Sequence, residues 1–240
     1  MKRSSDSSGF IQVNGEALPY KVERRNVRYP RLEFKTVELL VILPRKWGDE
    51  TALLEEKKGW ISKKHAQVKN AVEKLRGSTG TNRLPILGEF FEFRENGSLN
   101  VDFDGKIIEF DLGNPNHLRR LEHVLKRKLL QELEPAVEEY SKKLGVEFNR
   151  ITIKKQRTRW GSCSSSGNLN FNLWLVCLPR ELIRYVAWHE VAHAKEKNHG
   201  RAFWTLVGSE FENHREMEKK LSEYWLLVQN TTFLIGRGRS

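Results

Sequence analysis

Two early stretches carry the alternation of a half-buried strand. Val37, Leu39, Val41 and Leu43 keep a period of two, and Pro44 closes the run. Residues 34–42 therefore read as one strand and residues 16–23 as another. From 49 to 75 the apolar positions change to helical spacing: Leu53, Leu54, Trp60, Ile61, Ala71, Val72 and Leu75. Gly59 is placed to break that helix in two. A loop at 76–82 follows. After it the punctuation predicts a β-meander: strands at 86–94, 98–103 and 106–111, joined by turns at Asn96-Gly97 and Asp104-Gly105.

Asn114-Pro115-Asn116 opens a long helix through about Leu144. Pro135 should kink or split it, and Lys143-Leu144-Gly145 stops it. A strand at 151–156, a turn at 164–167 and a return strand at 169–176 come next. Two helices close the chain, at 179–197 and 201–227. No internal repeat is legible. The pattern divides the chain into a disordered N-terminus (1–10), a β-rich N-terminal region with one helical segment (11–115), a metal-binding catalytic domain (116–230) and a flexible tail (231–240).

The chemistry concentrates in the first of those closing helices. His189-Glu190-Val191-Ala192-His193 puts two imidazoles four residues apart on one helical face, where both reach a single Zn²⁺. Glu190 faces the coordination position left for water. Leu182, Ile183 and Val186 give the helix an apolar stripe, and Pro179 suits its first turn. His199 lies beyond any straight continuation of that face. It becomes a third ligand only if the helix ends and the chain turns back, and Asn198 and Gly200 tolerate such a turn. Glu210 and His214 are the alternatives for that place.

Composition changes the picture little. A chain of 240 residues with 38% hydrophobic and 30% charged residues describes a soluble protein of one or two domains. The start is polar and offers no apolar core of a secretory leader. The longest apolar run, 37–43, is too short to span a bilayer and is broken by Glu38. Cys163 and Cys177 make no disulfide framework. A cytoplasmic location and no membrane partner are expected. The net charge of +11 admits weak binding of nucleic acid or nucleotide, but the basic residues are scattered and many sit beside glutamates.

Several separated motifs recur in order: Trp160-Gly161-Ser162-Cys163, then His189-Glu190-x-x-His193, then Asn198-His199 followed by Phe203-Trp204. In this the second half of the chain resembles the YgjP-like (DUF45) zinc metallopeptidases, relatives of the SprT-like and WLM zincins. The resemblance implies an α+β, zincin-like domain in which a small antiparallel sheet packs on the metal helix, preceded by a β-rich N-terminal half. It implies His189, His193 and His199 as Zn²⁺ ligands and Glu190 as general base.

The function expected is a zinc-dependent peptidase acting on a peptide or protein, bound as an added strand along a sheet edge at 169–173. Arg159, Tyr185 and His214 are candidates for transition-state or substrate contacts. Trp160, Phe203 and Trp204 are expected to pack around the site, and Cys163 to be a small buried residue in a tight turn. Two other readings stay open. One is hydrolysis of a nucleoside triphosphate, although no Gly-rich phosphate loop is present. The other is a non-enzymatic, nucleic-acid-associated protein, for which a closed Cys-rich zinc site would be expected.

Overall fold

A computed structural model describes residues 7–35, 38–79, 83–156 and 158–231. The expected disorder at 1–6, the end of the predicted loop at 80–82 and the tail at 232–240 lie outside the described residues. The fold is α+β and forms two compact units. One holds the described residues up to Ser78 together with Trp225–Asn230, and the other holds those from Thr79 to Tyr224 and Thr231.

The first unit opens with β1 (Ser7–Val13) and β2 (Glu16–Arg25), an antiparallel hairpin. Residues 7–10 are thus strand, not disorder. Ser7, Ser8 and Gly9 give no apolar alternation and Phe10 faces outward, so the signal is hidden: within β1 only Ile11 and Val13 are buried. The strand predicted over 34–42 is two antiparallel strands, β3 (Arg31–Lys35) and β4 (Glu38–Pro44), with 36–37 of that prediction outside the described residues. The sheet order is β1-β2-β4-β3, with β2 and β4 parallel. The predicted helix divides at Lys57 into α1 (Thr51–Glu56) and α2 (Lys58–Thr79), next to the expected break. Leu18, Val22, Leu39, Val41 and Leu43 from the sheet form one apolar cluster with Leu53, Leu54, Ile61 and Val68 from the helices. Burying each such side chain contributes about 1.5–3 kcal/mol.

The second unit opens with β5 (Arg83–Ile86), β6 (Glu89–Glu95), β7 (Asn100–Asp102) and β8 (Ile107–Phe110). These strands are not a meander. The order is β5-β6-β8-β7, and β6 pairs parallel with β8. The predicted strand at 86–94 breaks because Leu87 and Gly88 both take positive φ, 53° and 88°, and turn the chain. Next comes α3 (Pro115–Leu144). The Asn114 side chain accepts from the Asn116 amide at its start, and left-handed Gly145 ends it. It continues through Pro135 as one helix. Leu121, Leu125, Leu129 and Leu133 form its buried stripe.

The two sheets repeat one design, which the sequence does not reveal. Each is a hairpin, a parallel step and a second antiparallel pair, followed by helix. The registers agree residue by residue. Ile11 faces Leu18 as Leu84 faces Phe91, and Tyr20 faces Leu39 as Phe93 faces Ile108. Asn14-Gly15 and Leu87-Gly88 make the same positive-φ turn. Ile11, Leu18 and Leu39 are buried like Leu84, Phe91 and Ile108 although the residue types differ, and of the residues named here the turn glycine alone is kept.

β9 (Arg150–Lys154), β10 (Gly161–Cys163) and β11 (Asn168–Asn172) form a third sheet in the order β10-β11-β9. It is mixed rather than purely antiparallel, because β11 and β9 run parallel. The predicted strand at 169–176 stops at Asn172. A 3-10 turn, Leu173–Cys177, replaces its second half, with the Asn172 side chain capping it at the Trp174 amide. The helix predicted to carry the metal ligands is α4 (Arg180–Ala192), shorter than predicted, and the last predicted helix is two: α5 (Arg201–Glu210) and α6 (His214–Thr231). Within this unit α3 packs along α4, with Tyr140 and Trp188 edge to face at 5.1 Å. Among the described residues no helix is long and apolar enough to cross a membrane.

Candidate metal centre

α4 is almost wholly buried from Leu182 to Ala192, so its polar groups must find partners inside the protein. His189 and Glu190 are two of these, on the last full turn. The helix stops at His193, and the chain returns through 194–200 to begin α5 at Gly200. The return uses ordinary backbone. Asn198 is not among the positive-φ residues, and Gly200 caps α5 at φ −79°. The left-handed turn expected there is not needed, because two 3-10-like steps already reverse the chain: the amide of Ala194 donates to Val191 O and that of Lys195 to Ala192 O.

His189, His193 and His199 meet at the end of that return. One nitrogen from each lies within 4.8 Å of the other two. The Nε2 atoms of His189 and His199 are 3.0 Å apart. Two nitrogens on one tetrahedral zinc, each about 2.0–2.1 Å from it, stand about 3.3 Å from each other, so the spacing fits that ion. His193 Nδ1–H donates to the Glu196 carbonyl at 3.0 Å, which leaves its Nε2 as the free nitrogen. Phe203 lies among the three rings. It stacks on His193 at 4.5 Å and meets His189 and His199 edge on at 4.9 and 4.7 Å.

Burial favours the neutral form of two of the rings. Burial, then the His193 and His199 rings beside it, push the His189 imidazolium down to about 3. Burial also lowers His193. Neutral imidazoles are what a metal requires. Glu190 is 5% exposed, and burial pushes its carboxyl up to about 8. The Arg159 charge and the Cys163 backbone N–H, which donates to it, oppose that shift. Gly161 lies directly beneath Glu190. A Cβ there would fall 2.6 Å from Glu190 Oε1 and 2.7 Å from its Cγ.

The site opens into a cavity of about 730 Å³. Its walls include the three histidines, Glu190, the whole of β10 and the 164–167 turn. β10 and β9 are the end strands of their sheet, whereas β11 is paired on both sides. The edge expected at 169–173 is therefore closed, and the edge strand that lines the cavity is β10. β11 lies inside because its Leu169 and Phe171 are core residues, 1% and 0% exposed.

Arg159 lines the cavity and is exposed. Tyr185 also lines it, fully buried, with its hydroxyl donating to Glu218 Oε1 at 2.7 Å. Burial, then Glu218, raises that phenol above the usual tyrosine range. His214 is outside the cavity lining and stacks on Trp204 at 5.6 Å. Glu210 pairs with Lys143, away from the three imidazoles. Cys163 is half-buried on β10, and burial, then Glu190, raise its thiol. Sequence reasoning missed two residues. Gly161 carried a signal in the W-G-S-C motif, whereas Glu218 carried none, because only the packing of α6 brings it near His189.

Comparison with known proteins shows the family of the chain. The family described as YgjP-like, metallopeptidase domain, matches residues 28–224. Among solved structures, the metallopeptidase zymogen jannalysin of Methanocaldococcus jannaschii shares 28% identity. The match covers 39% of this chain and 89% of that one, with a TM-score of 0.36. The metallopeptidase zymogen abylysin of Pyrococcus abyssi shares 23% identity over 38% of this chain and 93% of its own, with a TM-score of 0.36. No curated protein matches the chain. With the family match spanning most of its length, the chain belongs to the YgjP-like family of metallopeptidase domains.

Proposed function

We propose that the chain is a zinc-dependent peptidase that holds Zn²⁺ on His189, His193 and His199 and uses Glu190 as its general base. The observation that carries this reading is the convergence of three imidazole nitrogens, with burial holding His189 and His193 toward the neutral form, beside the buried Glu190 side chain in a cavity walled by an edge strand. When bound there, zinc supplies Lewis acidity, which makes water a nucleophile near neutral pH and polarises the scissile carbonyl.

The chain's own residues do the rest. The Glu190 carboxylate takes the proton of the attacking water and returns it to the leaving amine. A positioned base of this kind contributes typically about 10²–10⁴-fold. Gly161 and the Cys163 amide fix where that carboxylate stands. β10 offers main-chain groups to an extended peptide, the usual way a free edge binds a strand. Arg159, exposed in the same cavity, is placed to meet negative charge that develops on the substrate.

The lining favours a peptide over a nucleoside triphosphate. Glu147 and Glu218 balance Arg159 and Lys197 there, so the wall does not present the excess of positive charge that a polyphosphate calls for. The test is zinc content by elemental analysis, followed by turnover on a peptide library and on nucleoside triphosphates. About one zinc per chain, lost in His199→Ala, and peptide cleavage lost in Glu190→Gln with zinc retained, are expected. A wild type without zinc, or turnover of nucleotides alone, overturns the reading.

A further inference from the structure

An imidazole that gives Nε2 to a metal keeps its proton on Nδ1, and that N–H needs an acceptor. His193 has one in the Glu196 carbonyl. His189 does not. Its Nδ1 is buried and has no hydrogen-bond partner. The acidic oxygen facing it is Oε1 of Glu218, at 3.8 Å, contributed by α6. The same oxygen accepts the Tyr185 hydroxyl at 2.7 Å. Tyr185 sits one turn before His189 on α4, with ring centroids 6.2 Å apart. A carboxylate oxygen has two lone-pair sites, so Tyr185 and His189 do not compete for it.

We propose that Glu218 is the positioning residue of the metal centre: Tyr185 anchors its carboxylate, which accepts the His189 Nδ1–H and so fixes the ring that offers Nε2 to the ion. The inference rests on the three-histidine reading of the site. A hydrogen bond needs about 2.7–3.2 Å, so the side chains move by less than about 1 Å to form it. Glu218 is half-buried and reaches the pair from a different helix, which leaves it that freedom. Tyr185, fully buried, acts as its fixed support and not as a substrate contact.

The test is the zinc affinity of the full chain, measured by competition with a chromogenic chelator. Glu218→Ala, Glu218→Gln, Tyr185→Phe and His199→Ala are compared with wild type. Removing such a supporting partner typically weakens metal binding about 10–100-fold, and that loss is expected for Glu218→Ala. Glu218→Gln keeps an acceptor oxygen and should recover most of it, and Tyr185→Phe should lose several-fold. The thermal midpoint of metal-free Glu218→Ala should stay within a few degrees of wild type, which separates positioning from folding.

Affinities of Glu218→Ala and Tyr185→Phe within about twofold of wild type overturn the proposal, as does an equal loss in the Gln and Ala variants. If Glu218→Ala fails to fold, the Gln and Phe variants decide. A wild type that binds no zinc, or a His199→Ala variant that binds it as tightly as wild type, would show that the three-histidine reading itself has failed.

Discussion

Glu190 rests on Gly161 with no room for a single carbon between them: a Cβ on Gly161 would stand 2.6 Å from Glu190 Oε1. Contacts under 3.0 Å are not tolerated, and backbone and helix hold both residues, so the Glu190 side chain is what yields. The glycine of W-G-S-C is therefore part of the proposed catalytic geometry although it carries no functional group. Gly161→Ala is expected to retain zinc and to lower kcat/KM at least about 100-fold, the usual result of displacing a catalytic group by about 1 Å. Steady-state kinetics beside elemental analysis checks it. An active Gly161→Ala enzyme would mean that Glu190 does not need this position.

In the metal-free protein, Glu190 also makes stability depend on pH. Burial raises its folded-state carboxyl to about 8, above the ordinary value of 4.5. The folded state then holds a proton that the unfolded state has released. The stabilisation this gives is complete below about 4.5 and is lost as pH rises through about 8. Glu190→Gln cannot ionise. After chelation of metal, the variant should gain on wild type by on the order of 2–5 kcal/mol between pH 5 and pH 8.5. Denaturant unfolding at the two values measures the difference, in which the other titrating groups cancel. A gap that does not change with pH would show that Glu190 ionises without cost in the fold.

Asn172 holds the approach to β10. It is fully buried, donates to the carbonyls of Gln156 and Arg159, and accepts from the amides of Gln156 and Trp174. One side chain thus ties the connection before β10 to the turn after β11. Truncation leaves those backbone groups buried and unpaired, at about 1–3 kcal/mol for each one that finds no water. Asn172→Ala is expected to lose about 2–4 kcal/mol of stability. Chemical denaturation of metal-free protein measures it, and a loss under about 1 kcal/mol would mean that this network relaxes without cost.

What the sequence revealed is what sequence distance does not obscure. His189 and His193 are neighbours on any helix, and the apolar stripe of Leu182, Ile183 and Val186 makes that helix plain. Asn114-Pro115 and Gly145 mark both ends of α3 by local capping chemistry. The misses have other causes. Leu173 to Cys177 are all buried, and a fully apolar run has no period to tell a strand from a 3-10 turn. The parallel pairing of β6 with β8 depends on contacts that turn chemistry cannot announce. Three-residue β10 is too short to show an alternation and does not read as a strand, and that β11 lies inside the sheet is decided by where β9 adds. The repeated sheet stayed hidden because its paired core positions share burial and not identity, which leaves little beyond the turn glycines, Gly15 and Gly88, to match.

That repeat sets up a comparison between two glycines. Gly15 and Gly88 occupy the same place in the same hairpin turn, at φ 78° and 88°. Alanine at either meets the cost of a left-handed backbone, about 1–2 kcal/mol. Their surroundings differ. A Cβ on Gly15 has nothing within 4 Å, whereas one on Gly88 comes within 3.2 Å of the Pro179 backbone. In the same turn the Leu87 amide donates to Val176 O at 2.7 Å. The second copy of the hairpin therefore braces the segment that leads into α4, and the first copy leaves the equivalent space open. Gly88→Ala should cost more stability than Gly15→Ala by about 1 kcal/mol or more, the scale of overpacking. It should also weaken zinc binding, because Pro179 starts the helix that carries His189 and His193. Unfolding free energies and chelator competition on the two variants read both effects. Equal losses in stability, with zinc affinity unchanged in each, would show that the hairpin does not support the metal helix.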